Sequence, residues 1–194
     1  MNKLCRTLLF LTLMGSSSVA LSQRRGDTQL QFEHSWIELM NANIHREIAA
    51  SNGYAFDFIS DHYPATGVVI SHYLTDQWII SFNFSSHFTQ RWRTFGDQSK
   101  GRADLLYLTG AGGVRYIWQD AGLLYQFVEV DVGYSYGFVR LSDWQSEANI
   151  PTNIHFPTGH ITLIGMRIGE SYGIEAGLGY GYKGIVNLGF FFEI

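Results

Sequence analysis

Ser85 and His87 stand two places apart, and a serine beside a histidine is the start of a nucleophile–base pair. Around them, Asn83-Phe84-Ser85-Ser86-His87-Phe88 alternates polar and apolar groups, so both belong to one face of a strand. Positions i and i+2 of a strand lie about 6.5–7 Å apart, longer than a nucleophile–base hydrogen bond. No Gly-x-Ser-x-Gly sequence surrounds the serine. Polar filling of an interior is the simpler expectation for Ser85 and His87, and catalysis the rarer one.

A second set is ionic. Arg115, Glu129, Asp131, Arg167, Glu175 and Glu193 each fall between alternating apolar residues and share the face opposite to them. An isolated buried ion is very costly, so charges on an inward face must pair. Arg115 is expected to meet Glu129 or Asp131, and Arg167 to meet Glu175, each across a short turn. The main expectation is a salt-bridged structural core; the alternative is a proton or ion pathway.

The seven histidines are scattered. His34, His45, His62 and His72 have no compact spacing. His155 and His160 flank Pro157 and Thr158, but two ligands fall short of the three or four that zinc requires. The single Cys, Cys5, lies in the first few residues. Neither a metal site nor a cofactor is expected, and a disulfide framework is excluded.

These residues need elements to hold them, and the elements read as strands. In 184–194, Val186, Leu188, Phe190, Phe192 and Ile194 alternate with Ile185, Asn187, Gly189, Phe191 and Glu193. One face is wholly apolar, over about the 9–11 residues that a tilted strand needs to cross a bilayer. The segment 78–92 puts Trp78, Ile80, Phe82, Phe84, Phe88 and Trp92 on one face, an apolar band closed by a Trp at each end. Segments 106–118, 124–138, 162–168 and 172–182 repeat the pattern, Tyr182 included among the outward residues. Segments 68–74 and 28–37 complete a set of about eight strands.

The connections suit an up-and-down order. Short turns fall at 75–76, 119–122 and 169–171, and long polar links at 93–102 and 140–157; a tight turn at Lys183-Gly184 joins the last hairpin. Region 38–63 is expected to be a long outer loop with a helical turn, because Trp36, Met40, Ile44 and Ile48 recur every four residues. A rival reading makes 35–50 a periplasmic amphipathic helix and begins the strands near Tyr54. The predicted fold is therefore all-β: an antiparallel up-and-down transmembrane barrel of about eight strands.

Composition agrees. Aromatics make up 15% of the 194 residues and Gly contributes 21, against only 3 Pro. Aromatic belts and glycines at crowded interior positions suit a small barrel. Residues 1–22 read as a secretory signal, with Lys3 and Arg6 before an apolar run and small residues at Ala20 and Ser22. The barrel domain would then be 23–194. Without Lys3 and Arg6 the balance is 11 basic residues against 17 acidic, about −6, which argues against a nucleic-acid partner.

The run Gly159-His160-Ile161-Thr162-Leu163-Ile164-Gly165-Met166-Arg167-Ile168-Gly169, with Gly173-Ile174-Glu175-Ala176-Gly177-Leu178-Gly179-Tyr180-Gly181-Tyr182-Lys183-Gly184 after it, resembles the C-terminal hairpins of small uncharacterised outer-membrane β-barrel proteins common in Bacteroidota-type envelopes. That resemblance implies a barrel, an outer-membrane address and recognition by the barrel assembly machinery. It implies no catalytic residues. It differs in ending on Ile194 where such proteins place an aromatic.

The expected role is structural or one of surface interaction, by a monomer in contact with outer-membrane lipid and lipopolysaccharide. Trp92, Phe95 and Trp144, near the outer links, are expected to anchor at the interface. Outer-membrane acyl hydrolases carry Ser and His in or beside a small barrel. The alternatives are therefore an enzyme acting on lipid A acyl chains through Ser85 and His87, of deacylase or palmitoyltransferase type, or a narrow pore.

Overall fold

The alternation of polar and apolar residues closes into a cylinder. The computed structural model describes residues 25–37, 40–51, 64–95, 99–142 and 153–194; the expected signal segment lies outside them. Eight strands run in chain order: β1 (Thr28–Trp36), β2 (Ala65–Tyr73), β3 (Trp78–Phe95), β4 (Ser99–Asp120), β5 (Leu124–Ser142), β6 (Asn153–Gly169), β7 (Tyr172–Gly181) and β8 (Val186–Glu193). Each pairs antiparallel with the next, and β8 pairs with β1, so the fold is a closed eight-stranded up-and-down barrel. Among the described residues one helix, α1 (Met40–Ser51), lies between β1 and β2.

The faces follow the sequence parity. Phe82, Phe84, Val130, Val132, Tyr134, Leu188 and Phe190 point outward and are exposed, Phe82 by 74%. Ser81, Asn83, Tyr107, Thr109, Arg115, Glu129, Asp131 and Phe191 point inward and are buried. A water-soluble domain would do the reverse, burying its large apolar groups and wetting its charges. Trp78 and Trp118 mark one end of the outer band, and Trp36, Phe88 and Phe138 the other. The side chains of Trp92 and Phe95, and Trp144 as a whole, lie outside the described residues.

Two irregularities adjust the register. In β4 one extra residue falls between Ile117 and Gln119. In β6 one falls between Thr162 and Ile164, against both neighbours. A bulge leaves two residues opposite one. Leu163 and Ile164 both face outward as a result, and Arg167 faces in.

The rim is uneven. β2 ends at Ala65 opposite His87, and β7 at Gly181 opposite His160, but β3 to β6 continue beyond both levels. The expected link 93–102 is therefore mostly strand. β6 likewise starts at Asn153, not Thr162, so Pro157 and both histidines lie in it. Pro157 pairs with Tyr134 of β5 and lies beyond the reach of β7, so its missing N–H costs no ladder bond on that free edge.

This raised wall has an apolar inner face of Leu105, Tyr107, Val139, Ile154 and Phe156, and α1 covers it with Ile44 and Ile48. The helix is longer than the single turn expected. It sits at the loop end of the barrel, across from the end that holds the three short turns, and β1 precedes it, so the strands do not begin near Tyr54 as the rival reading had it. The alternating Tyr54, Phe56 and Phe58 lie outside the described residues.

Candidate functional site

The lumen is filled in three layers. At the short-turn end, Tyr73, Ile79, Ile117, Tyr125 and Phe127 form an apolar and aromatic plug. Arg167 is buried within it. Its Nη1 donates to Gln29 Oε1, to Tyr73 Oη at 2.8 Å and to Tyr125 Oη at 2.9 Å. Its Nη2 donates to the Glu170 carbonyl at 3.1 Å and to Glu193 Oε1 at 3.3 Å. The guanidinium carbon lies 3.3 Å from the centre of the Phe191 ring. A planar cation stacked on an aromatic and ringed by oxygens is a well-satisfied buried arginine.

Mid-height belongs to ions. Arg115 spends all three nitrogens on carboxylates: Nε on Glu129 Oε2 at 2.5 Å, Nη1 on Glu175 Oε2 at 2.6 Å and Nη2 on Glu175 Oε1 at 2.7 Å. The Glu175 contact is the bidentate fork that makes arginine–carboxylate pairs strong and directional. Phe127 backs the guanidinium at 3.9 Å. Lys183 supplies the second cation. Its Nζ lies 2.9 Å from Glu129 Oε1, 3.2 Å from Asp131 Oδ2 and 3.6 Å from Glu33 Oε2. Asn83 Nδ2 donates to Asp131 Oδ1 at 2.7 Å, and Gln31 Nε2 to Glu33 Oε1 at 2.9 Å and Glu175 Oε1 at 3.1 Å.

Glycines make room for these side chains. A Cβ on Gly113 would lie 1.9 Å from Asp131 Oδ1 and 2.5 Å from Ser81 Oγ. Between them lies a cavity of about 10 Å³ touching Gln31, Glu129, Glu175 and Asn187, about the size of one water.

The pairing differs from the simple cross-turn expectation. Arg115 meets Glu129 as expected, but Asp131 turns to Lys183 and Asn83. Arg167 and Glu175 face each other in register, yet Glu175 is taken by Arg115 and Arg167 by the tyrosines. Glu193 is only partly buried. Gln29, Glu33 and Asn83 lie on the polar face that the alternation gives them, but neither they nor Lys183 were among the expected lumen charge network. Lys183 and Tyr182 were expected in an outer turn and on the outer face. The backbone turns inward there instead, at positive φ for Gly181 (146°) and Gly184 (92°), and buries both. The signal was available in the two glycines that bracket them.

The loop end holds Ser85 and His87, both buried on β3. The His87 ring stands edge-on to Tyr107 at 5.8 Å between centres, and Tyr107 also meets His45 of α1 at 5.9 Å. His45 Nδ1 and Tyr107 Oη are 2.7 Å apart. Asn41 Oδ1 accepts from Ser135 and Thr158, each at 3.2 Å. These contacts dock α1 in the mouth. His155 faces outward, 2.6 Å from Tyr134 Oη, while His160 faces the lumen beside Tyr182, so the two cannot share an ion. Among the described residues no group of three or more His, Cys, Asp or Glu could hold a metal ion.

No protein-family model matches the chain, and no curated protein matches it in sequence. The crystal structure of the N-terminal β-barrel domain of Pseudomonas aeruginosa OprF is similar to it at a TM-score of 0.48 and 14% identity, covering 88% of this chain and 98% of that one.

Proposed function

We propose that the protein is an outer-membrane β-barrel with a structural or surface-interaction role, and that its lumen charges serve the fold rather than a reaction. One observation carries this reading: the apolar side chains point out around a closed wall, and the paired ions point in. Only a hydrocarbon surround makes that arrangement favourable, because a closed barrel satisfies its own backbone polar groups and offers the lipid nothing but side chains. Among the described residues no helix is long and apolar enough to cross a membrane, so the strands would do it.

The filled lumen favours a wall or platform over a conduit. Ion pairs occupy mid-height, an aromatic plug closes one end and α1 caps the other. The partners of such a protein are lipid around the band, the assembly machinery that inserts it and whatever meets its outer rim. Detergent-dependent solubility and a heat-shifted migration on SDS gels test the barrel in a membrane. A chain that stays soluble and monodisperse without detergent overturns it. Mass spectrometry of lipid A from deletion and overexpressing strains tests the role: an unchanged acylation pattern is the expected result, and a changed one reinstates catalysis at Ser85 and His87.

A further inference from the structure

The apolar outer band has a dip in it. Gly110 and Gly112 take two successive outward places on β4, where the neighbouring strands set Phe82, Phe84, Val132 and Tyr134. A methyl added at Gly110 would meet nothing within 4 Å, and at Gly112 only the Ser81 carbonyl oxygen at 4.0 Å. Phe82 and Val132 stand opposite Gly112 on either side, and the glycine gives neither of them any cover.

A groove of about 380 Å³ runs from this dip towards the short-turn end. Its outward lining is Ile70 and His72 of β2, Ile80 and Phe82 of β3, and Gly112 and Val114 of β4. At the roughly 30 Å³ that a water-sized group takes up, it has room for about a dozen such groups. That suits a methylene chain and is more than one side chain of a neighbouring protein would fill. His72 is the one polar side chain among these six residues.

The histidine indicates what fills the groove. Its Nδ1 lies 3.1 Å from Thr28 Oγ1, the ring's one hydrogen bond among the described residues, and Nε2 is left for a partner. A polar group on a face turned to hydrocarbon is costly unless something meets it. Height selects the candidate. His72 and Val114 both stand opposite Ile80; two residues nearer the turn, Trp78 stands opposite Tyr116, with 4.8 Å between ring centres. Outward Trp and Tyr at the edge of an apolar band sit at headgroup level. At about 3.3 Å per residue and a tilt of about 40°, His72 lies roughly 5 Å deeper. The ester groups that join acyl chains to glycerol occupy that depth, between headgroup and hydrocarbon. A second barrel would bring only its own apolar band there, and would leave the imidazole unmet.

We propose that the groove across the outer faces of β2, β3 and β4 holds one acyl chain of a glycerophospholipid from the leaflet at the short-turn end, with His72 hydrogen-bonded to its ester group. This rests on the membrane reading above and names a partner for it. With Nδ1 accepting from the Thr28 hydroxyl, Nε2 carries the ring proton and donates to the ester carbonyl. The chain lies along Ile70, Ile80 and Val114 and ends against Phe82, over the bare backbone of Gly112.

Native mass spectrometry of the full chain in detergent, with a diester phosphatidylethanolamine or its diether analogue added, tests the proposal. The diether has the same chains and headgroup but no carbonyl. The wild type is expected to retain one diester lipid, about fivefold better than the diether, the worth of one hydrogen bond. Gly112→Leu fills the groove and is expected to lose retention of both. His72→Leu is expected to hold the two lipids equally, and Ala176→Leu, on the outer face of β7, to behave as wild type. A wild type that retains neither lipid, or both equally, overturns the proposal. So does undiminished retention by Gly112→Leu, an undiminished preference in His72→Leu, or a wild-type dimer that Gly112→Leu dissociates, which would give the groove to a second copy. If Gly112→Leu does not fold, the two lipids compared on the wild type and on His72→Leu still decide. A heat-shifted gel band reports the barrel independently, so a folded protein without lipid preference sinks this inference and leaves the barrel standing.

Discussion

Lys183 Nζ lies 2.9 Å from Glu129 Oε1, although the lysine belongs to the connection between β7 and β8 and the glutamate to the middle of β5. The contact ties a turn to the far side of the wall across the lumen. It also anchors a cluster in which two cations, Arg115 and Lys183, face four carboxylates, Glu33, Glu129, Asp131 and Glu175.

Removing the lysine leaves three acids without their shared cation. Lys183→Met is expected to destabilise the barrel by about 3–5 kcal/mol, the range for breaking a buried ion pair from one side. Asp131→Asn removes a surplus negative charge and is expected to cost under about 1 kcal/mol. It should also rescue part of the Lys183→Met loss, since neighbours in one network are not additive. Urea unfolding in bilayers, followed by tryptophan fluorescence, reads both. Equal losses for the two single variants would contradict the charge arithmetic.

Gly113 and Gly110 give a paired test of interior crowding. An added methyl at Gly113 collides with Asp131, which Asn83 and Lys183 hold in place; at Gly110 it meets nothing within 4 Å. Gly113→Ala is expected to cost about 1–3 kcal/mol, as overpacking does. Gly110→Ala is expected to fall within about 0.5 kcal/mol of the wild type. The same unfolding measurement decides, and a similar cost at both sites would mean the packing is otherwise.

The outward face gives a test that a soluble fold would fail. Val132 is 70% exposed. On a protein in water, Val132→Arg would be close to neutral. Facing the bilayer midplane it is expected to cost about 2–4 kcal/mol, and less at positions nearer the interface such as Phe138. A depth-independent result would place the band in water.

The helix docks in the mouth through Asn41, Ile44, His45 and Ile48 and should be separable from the barrel. Tyr107→Phe removes the hydroxyl that His45 meets, and Ile44→Asp puts a charge against the raised wall. Both are expected to raise amide exchange in 40–51 while the strands below stay protected. Exchange measured by mass spectrometry shows whether helix and barrel open together, which would refute the separation.

Parity was legible wherever the outer face is unbroken. The run from Val128 to Phe138 shows its faces at a glance, because a wall with an apolar outer face demands apolar groups at every second place. Legibility fell where that demand lapses. Above the band, β3 and β4 carry Arg93, Lys100 and Arg102, which read as loop though the strands go on. Pro157 read as the end of a loop because its free edge cannot be seen in one dimension. Lys183 and Tyr182 hid in a turn whose direction is set by two glycine φ angles. Partners were harder than faces, since Arg115 reaches Glu175 across the lumen, a distance that sequence spacing does not encode. The recurrence of Met40, Ile44 and Ile48 did signal α1, but not which surface it would cover.

The extra residue at Leu163 splits β6 into two halves that are out of step with each other. The upper half sends its even-numbered side chains to the lumen, His160 and Thr162 among them; the lower half sends Gly165 and Arg167. Excising Leu163 would restore one continuous beat with Thr162 and Arg167 both still inward; pairing the strand evenly with Leu163 kept would instead force a choice between two losses, the arginine swinging to the apolar outer face or Thr162 and His160 doing so.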